Sequence, residues 1–474
     1  MHIEQTHRIE HDLLGDREIP TAAYYGVHTL RALENFAISG ISIAVYPDLI
    51  RALAQIKKAA AQSNQQLGLL DTVRADAIAA ACNEVIDGKW HDHFVVDVIQ
   101  GGAGTSTNMN ANEVIANRAL EILGHGKGQF QHLHPNEHVN MSQSTNDVYP
   151  TALKLATYVG IFRLVDTMAY LRQAFERKAE EFADVLKMGR TQLQDAVPMT
   201  LGQEFSTYAV MLGEDEERLK EAALLIREMN LGATAIGTGI NAHPDYAAIV
   251  CGKLVEISGI PVLTAPNLIE ATQDCGSFVQ LSGVLKRVAV KLSKVCNDLR
   301  LLSSGPRAGF NEINLPARQA GSSIMPGKVN PVIPEVVNQI AFEVIGNDTT
   351  VTFAAEAGQL QLNAFEPIIA HSLFKSVLHL SNGCKTLADY CVDGITANRD
   401  ALRASVERSI GIVTALNPYI GYANATEIAA EAHLSGRGVA EIVLERQLMS
   451  PEQLANVLRP EVLTKPQMIQ PRAA

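Results

Sequence analysis

Residues 281–295 read LSGVLKRVAVKLSKV. Leu281, Val284, Leu285, Val288, Leu292 and Val295 recur at three- and four-residue spacing, the period of a helix. Val290 adds an apolar side chain off that stripe, so the helix is apolar around most of its circumference and needs protein on several sides. The pattern fills 275–303, and the segments 150–186, 198–230 and 331–360 carry helical periods of comparable reach. Helices average about 11–12 residues. Four that run this far predict a mainly α chain built on an extended central bundle of long helices. In an acidic chain the all-round apolar helix also predicts packing against other subunits.

Composition agrees with helices. Of 474 residues 47% are hydrophobic but only 5% aromatic, so small and aliphatic side chains do the packing. That argues against a sandwich or barrel. Shorter helices are expected from Asp48 to Gly68, from about Thr72 to Asp87, and from the glycines at 101–104 to Gly124. The first fifty residues show no sustained helical period, helices shorten again after about residue 400, and the tail from Pro460 reads as frayed. Three regions are predicted: 1–145, mostly helical; 146–400, the long-helix bundle; and 401–474, a small helical region.

A net charge of −12 makes nucleic acid an unsuitable partner. No run of 18 apolar residues exists to span a membrane, and the polar start MHIEQTHRIEHDLLG lacks the form of a signal peptide. Six scattered cysteines without a C-x-x-C pair read as reduced, mostly buried thiols. The expectation is a soluble cytoplasmic protein.

Four segments interrupt the helical pattern with small hydroxyl and amide side chains. They are Gly101 to Asn110 (GGAGTSTNMN), Ser142 to Asp147 (SQSTND), Gly189 to Asp195 (GRTQLQD, just before Pro198 opens a helix) and Gly321 to Pro331 (GSSIMPGKVNP). Each also reads as a capping loop, since Ser, Thr, Asn and Asp are preferred at helix starts. Four together, denser than capping requires, point to a binding site. Many neutral donors plus Lys328 suit a small dicarboxylate. The fourth segment, with glycines and a proline bracketing two serines, has the composition of a lid. No G-x-S-x-G elbow supports serine hydrolase chemistry.

Other patterns are weaker. Gly237-Thr238-Gly239 lacks the third glycine of a dinucleotide loop, and no phosphate-binding G-x-x-x-x-G-K-[ST] occurs. His132, His134, His138 and Glu137 have donor chemistry for a metal, but Pro135 interrupts helical spacing and no H-E-x-x-H is present. His91 and His93 read as solvated, and Glu214 to Glu217 as a solvated helix face.

The run Gly321-Ser322-Ser323-Ile324-Met325-Pro326-Gly327-Lys328-Val329-Asn330 resembles the G-S-S-x-M-P-x-K-x-N signature of the aspartase/fumarase superfamily. The resemblance extends over nearly the whole chain, from Asp12-Leu13-Leu14-Gly15 to Gly411 through Pro418, and the other three segments match the superfamily's remaining regions in order. It implies a homotetramer with a central bundle of long helices, each active site assembled from three subunits. Within the superfamily, Thr191-Gln192 resembles the ammonia-releasing branch, because the water-adding branch carries Thr-His there. Val336 to Gln339 and Gly346 to Thr352 read the same way; Gly327 leans towards the water-adding branch. His134-Pro135-Asn136 is similar to a loop that forms a second anion site in that branch.

The resemblance thus implies reversible elimination of ammonia from L-aspartate, giving fumarate, without a cofactor or metal. It assigns Ser322 as the base and Thr105, Ser144, Thr145, Asn146, Thr191, Gln192, Ser323, Lys328 and Asn330 as substrate ligands. Fumarate hydration and cleavage of a larger succinyl conjugate are the neighbouring activities. A catalytically silent helical scaffold is the reading from another class, against which intact Ser322, Lys328 and Asn330 speak.

Overall fold

The computed structural model describes residues 6–466 and 468. The first five residues, and the last of the tail that reads as frayed, lie outside that range; within it the tail forms a short helix, Pro460–Leu463. The chain is mainly helical, with four small two-stranded sheets among the described residues. Its longest helices are Thr145–Glu181, Leu201–Ile226, Gly276–Leu302, Val332–Glu356 and Glu366–Tyr390. The first four match the expected long segments. The fifth, and the helix Tyr246–Ser258, were not anticipated. No helix is long and apolar enough to cross a membrane among the described residues.

The chain divides into two compact units, each discontinuous in sequence. The first comprises residues up to 165, 217–289 and 342–381; the second comprises 166–216, 290–341 and 382 onwards. The divisions fall inside the five long helices.

In the first unit the helix Pro47–Gln66 starts with proline at its first turn, where the missing N–H costs nothing, and Asp48 faces the helix dipole. Its buried stripe includes Leu49, Ile50, Leu53, Ile56 and Ala60. Thr72–Ile86 is capped by Asp71, which accepts the Arg74 N–H. The first fifty residues are more ordered than their period suggests. A hairpin pairs His7–Asp12 with Gly15–Pro20, and a helix runs Val27–Asn35. The cause is long-range: the buried Glu113 carboxylate accepts the N–H groups of Gly26, His28 and Thr29 and the Thr29 hydroxyl, capping that helix from 84 or more residues away.

In the second unit, strands Leu186–Thr191 and Gln194–Thr200 form an antiparallel hairpin. Pro198 lies in the second strand, opposite Met188 beside a register shift, and does not open the next helix, which starts at Leu201. Met188 packs with Val406, Leu416, Ile420, Ile428 and Ile442 of the C-terminal helices into one apolar cluster. The acids at 214–217 are not all solvated. Asp215 and Glu216 are buried, drawn in by Lys291 at 3.0 Å and Arg172 at 2.8 Å.

Candidate functional site

Three of the four polar segments lead into helices and the other forms a hairpin tip. In the first unit, Gly104 is the N-cap of the helix Thr105–Ile122, at φ +88°. A Cβ there would sit 2.3 Å from the buried Tyr149 ring. Strain from the backbone and overpacking add, so Gly104→Ala is expected to cost about 2–4 kcal/mol, read as a clear fall in denaturant midpoint. A wild-type midpoint would show that Tyr149 has room to yield. Thr105 donates its hydroxyl to Gly102 O at 2.7 Å and lines a cavity of about 770 Å³ that also reaches Arg31, His134 and Asn136.

Ser144, Thr145 and Asn146 open the helix Thr145–Glu181 and are partly exposed. The Ser144 backbone is fixed from below by Asp147. That buried carboxylate accepts the N–H groups of Ser144 (2.9 Å), Thr234 (3.0 Å) and Gly232 (3.1 Å). Burial raises its pKa to about 6 against those donors and the nearby Lys57 cation. Asn146 donates to Ala235 O, and Asn230 donates to Asn146 O. Thr145 Oγ1 accepts from Asn108 Nδ2 at 3.0 Å.

Beneath these side chains lies Lys57, with no exposed surface. It donates to Asn108 Oδ1 (2.7 Å), Asn140 Oδ1 (2.8 Å) and Gln143 Oε1 (2.9 Å). Burial pushes its pKa down to about 7, with the Asp147 carboxylate working against the fall. Lys57 is not among the candidate residues named from the sequence. Its signal was a cation in the apolar stripe of a helix, between Leu53 and Ala60.

In the second unit, Thr191 and Gln192 stand exposed at the hairpin tip. Thr191 pairs with Gln194, and the two linking residues, Gln192 (φ +53°) and Leu193 (φ +63°), form a left-handed two-residue turn without glycine. Non-glycine residues in that region cost of order 1 kcal/mol or more each and collect at functional sites. The hairpin is anchored by a buried ion network: Lys187 meets Glu204 at 2.6 Å and Glu312 at 2.8 Å, and Glu312 meets Arg190 at 2.5 Å. Arg190 also stacks over Phe310 at 4.3 Å. These partners, far apart in sequence, were not foreseen.

The segment 321–330 is a loop closed at its neck. Gly321 N donates to Lys328 O at 2.7 Å, and Asn330 Nδ2 donates to Gly321 O at 2.8 Å. A side chain at 321 would meet Lys328 O at 2.7 Å, so glycine is required for the strands of the neck to approach. Ser322 Oγ accepts N–H groups from Ile324 (3.2 Å) and Met325 (2.9 Å). Ser323 and Lys328 are exposed, and Lys328 forms no ion pair among the described residues. Lys328 and Asn330 line a cavity of about 640 Å³ with Arg300, Ser304 and Asn314. The structure therefore brings Ser322, Ser323, Lys328 and Asn330 into one loop, and Thr145 and Asn146 onto one helix start beside Ser144. Thr105 opens its own helix, and Thr191 and Gln192 occupy their own hairpin tip.

The histidines have structural partners. His134 Nδ1 accepts the N–H groups of Asn136 and Glu137, His138 Nδ1 accepts that of His134, and His132 stacks on His125. His91 contacts Val85 O and His93 packs edge-on to Tyr24, so neither is simply solvated. All six cysteines are free thiols, five of them buried.

A lyase family model matches residues 15–346, and a fumarase C C-terminal model matches residues 412–465. The aspartate ammonia-lyase of Helicobacter pylori is 61% identical over 97% of this chain and 98% of its own length. That of Escherichia coli is 57% identical over 97% of this chain and 96% of its own. Among solved structures, a fumarate lyase:delta crystallin from Brucella melitensis bound to cobalt superposes with a TM-score of 0.95 at 56% identity, covering 97% of this chain and 100% of that one. A class II fumarase from Schistosoma mansoni superposes with a TM-score of 0.91 at 35% identity, covering 96% and 98%. On likeness of this extent in both sequence and fold, the chain belongs to the aspartase/fumarase family of lyases.

Proposed function

We propose that this lyase is an aspartate ammonia-lyase: it removes ammonia from L-aspartate to give fumarate, reversibly, by anti elimination. The observation that carries the chemistry is the pair of N–H groups, from Ile324 and Met325, aimed at Ser322 Oγ. The Cβ proton of aspartate is weakly acidic because it adjoins an ionised carboxylate, and its removal loads that carboxylate with a second negative charge. Ser322 as alkoxide takes the proton. The electron pair moves onto the carboxylate as an aci-carboxylate, then returns to form the double bond as the C–N bond breaks and ammonia leaves. Two donors on Oγ lower its proton affinity, and Lys328 supplies positive charge when the loop closes and water leaves.

Thr105, Ser144, Thr145, Asn146, Thr191, Gln192, Ser323, Lys328 and Asn330 would hold the substrate, with Thr191 and Gln192 near one carboxylate or the amino group. Gln192 at a position of histidine in the water-adding branch favours release of ammonia. The working unit would be a homotetramer in which three subunits contribute to each site. Two facts support this: candidate ligands such as Thr191, Gln192 and Lys328 are open to solvent, and one long helix, Val332–Glu356, exposes both Phe342 (61%) and Phe353 (69%). Apolar rings exposed to that extent mark a contact surface. Fumarate absorbance rising from L-aspartate and not from L-malate is the test of the activity.

A further inference from the structure

We propose that Lys57, acting through Asn108, positions the Thr145 hydroxyl as a hydrogen-bond donor to the substrate. The inference rests on the reading of Thr145 as a substrate ligand. An ammonium group has three N–H donors and no acceptor. Lys57 spends all three on amide oxygens of Asn108, Asn140 and Gln143, at 2.7, 2.8 and 2.9 Å. Each of those amides must therefore turn its oxygen to the cation. For Asn108 this leaves Nδ2 facing outward, where its two hydrogens go to Thr145 Oγ1 at 3.0 Å and Asn140 Oδ1 at 3.2 Å.

The consequence is a fixed direction of donation. Thr145 Oγ1 already accepts, and its own O–H meets no acceptor among the described residues. Thr145 is partly exposed at the first position of its helix, so the hydroxyl hydrogen is left for whatever lies above. A carboxylate oxygen is an acceptor only, which is the partner this arrangement fits. Without the cation, Asn108 is free to rotate its oxygen towards Thr145, and the hydroxyl then donates inward and is lost to the substrate. The charge also counts. All three hydrogen-bond partners of Lys57 are neutral, and the neighbouring Asp147 spends its oxygens on the N–H groups of Ser144, Thr234 and Gly232.

The test is steady-state kinetics on L-aspartate with Thr145→Val, Asn108→Asp, the double variant and Lys57→Met. Asn108→Asp keeps an acceptor on Lys57 but has no donor for Thr145, so it holds the fold and reverses the hydroxyl. The expected result is a KM raised about tenfold in Thr145→Val and in Asn108→Asp, with kcat within about threefold of wild type. The double variant stays within about twofold of Thr145→Val alone, because both changes remove the same hydrogen bond. Lys57→Met gives the same rise in KM, and Asn108→Asp decides should Lys57→Met not fold. A normal KM in Asn108→Asp beside an impaired Thr145→Val overturns the relay while the site reading stands, as do effects that multiply in the double variant. A normal KM in Thr145→Val overturns the site reading itself.

Discussion

Ser322→Ala lowers turnover of L-aspartate by about 10²–10⁴-fold, the span that a well-placed base contributes. A non-reacting aspartate analogue should still bind within a few-fold of wild type. The asymmetry follows from what the substitution touches. The loop neck is made by the backbone of Gly321 and Lys328 and by the Asn330 side chain, none of which involves the Ser322 hydroxyl. What is lost is the one oxygen that receives two N–H groups, from Ile324 and Met325. In alanine those donors revert to water, at small cost in an exposed loop. Single-turnover measurement with saturating aspartate separates chemistry from binding. Turnover within about tenfold of wild type would mean that another group takes the Cβ proton.

Lys328→Met has the next largest effect, and its signature differs. Lys328 is exposed and free of ion pairs among the described residues, so its removal leaves no buried charge behind and the fold is unaffected. It does remove the cation of the loop from a substrate that carries two carboxylates at rest and gains charge on one of them in the transition state. Both KM and kcat should suffer: KM up about tenfold, and kcat down about 10²-fold as for loss of one preorganised donor. A changed kcat with an untouched KM would place Lys328 at the developing charge only. An unchanged kcat/KM would remove it from the site.

Local pattern carried much of this in advance. The helix Gly276–Leu302 follows from the period of Leu281 through Val295, and the four polar segments stand out because they break that period. The remainder depended on partners distant in the chain. The helix Val27–Asn35 exists because Glu113 caps it, and no window of sequence around residue 27 contains that carboxylate. Pro198 marked a helix start by local chemistry, yet the pairing of its strand with Leu186–Thr191 overrode it. Lys57 sits in an apolar helical stripe, and its role depends on Asn108, Asn140 and Gln143, which converge on it from 51 to 86 residues away. Asp215 and Glu216 were drawn inside by Lys291 and Arg172 in the same way. Motifs are legible because they are contiguous; the groups that hold them in place are not.

One comparison decides whether the reaction releases ammonia or water. Purified protein is given L-aspartate or L-malate at matched concentration, and fumarate is followed by its ultraviolet absorbance alongside ammonia by an independent assay. Fumarate and ammonia are expected in equal amounts from L-aspartate, with a kcat/KM for L-malate lower by about 10⁴-fold or more, the scale on which a site built to hydrogen-bond one polar group rejects its analogue. Fumarate forming from L-malate as fast as from L-aspartate would contradict the assignment as an ammonia-lyase.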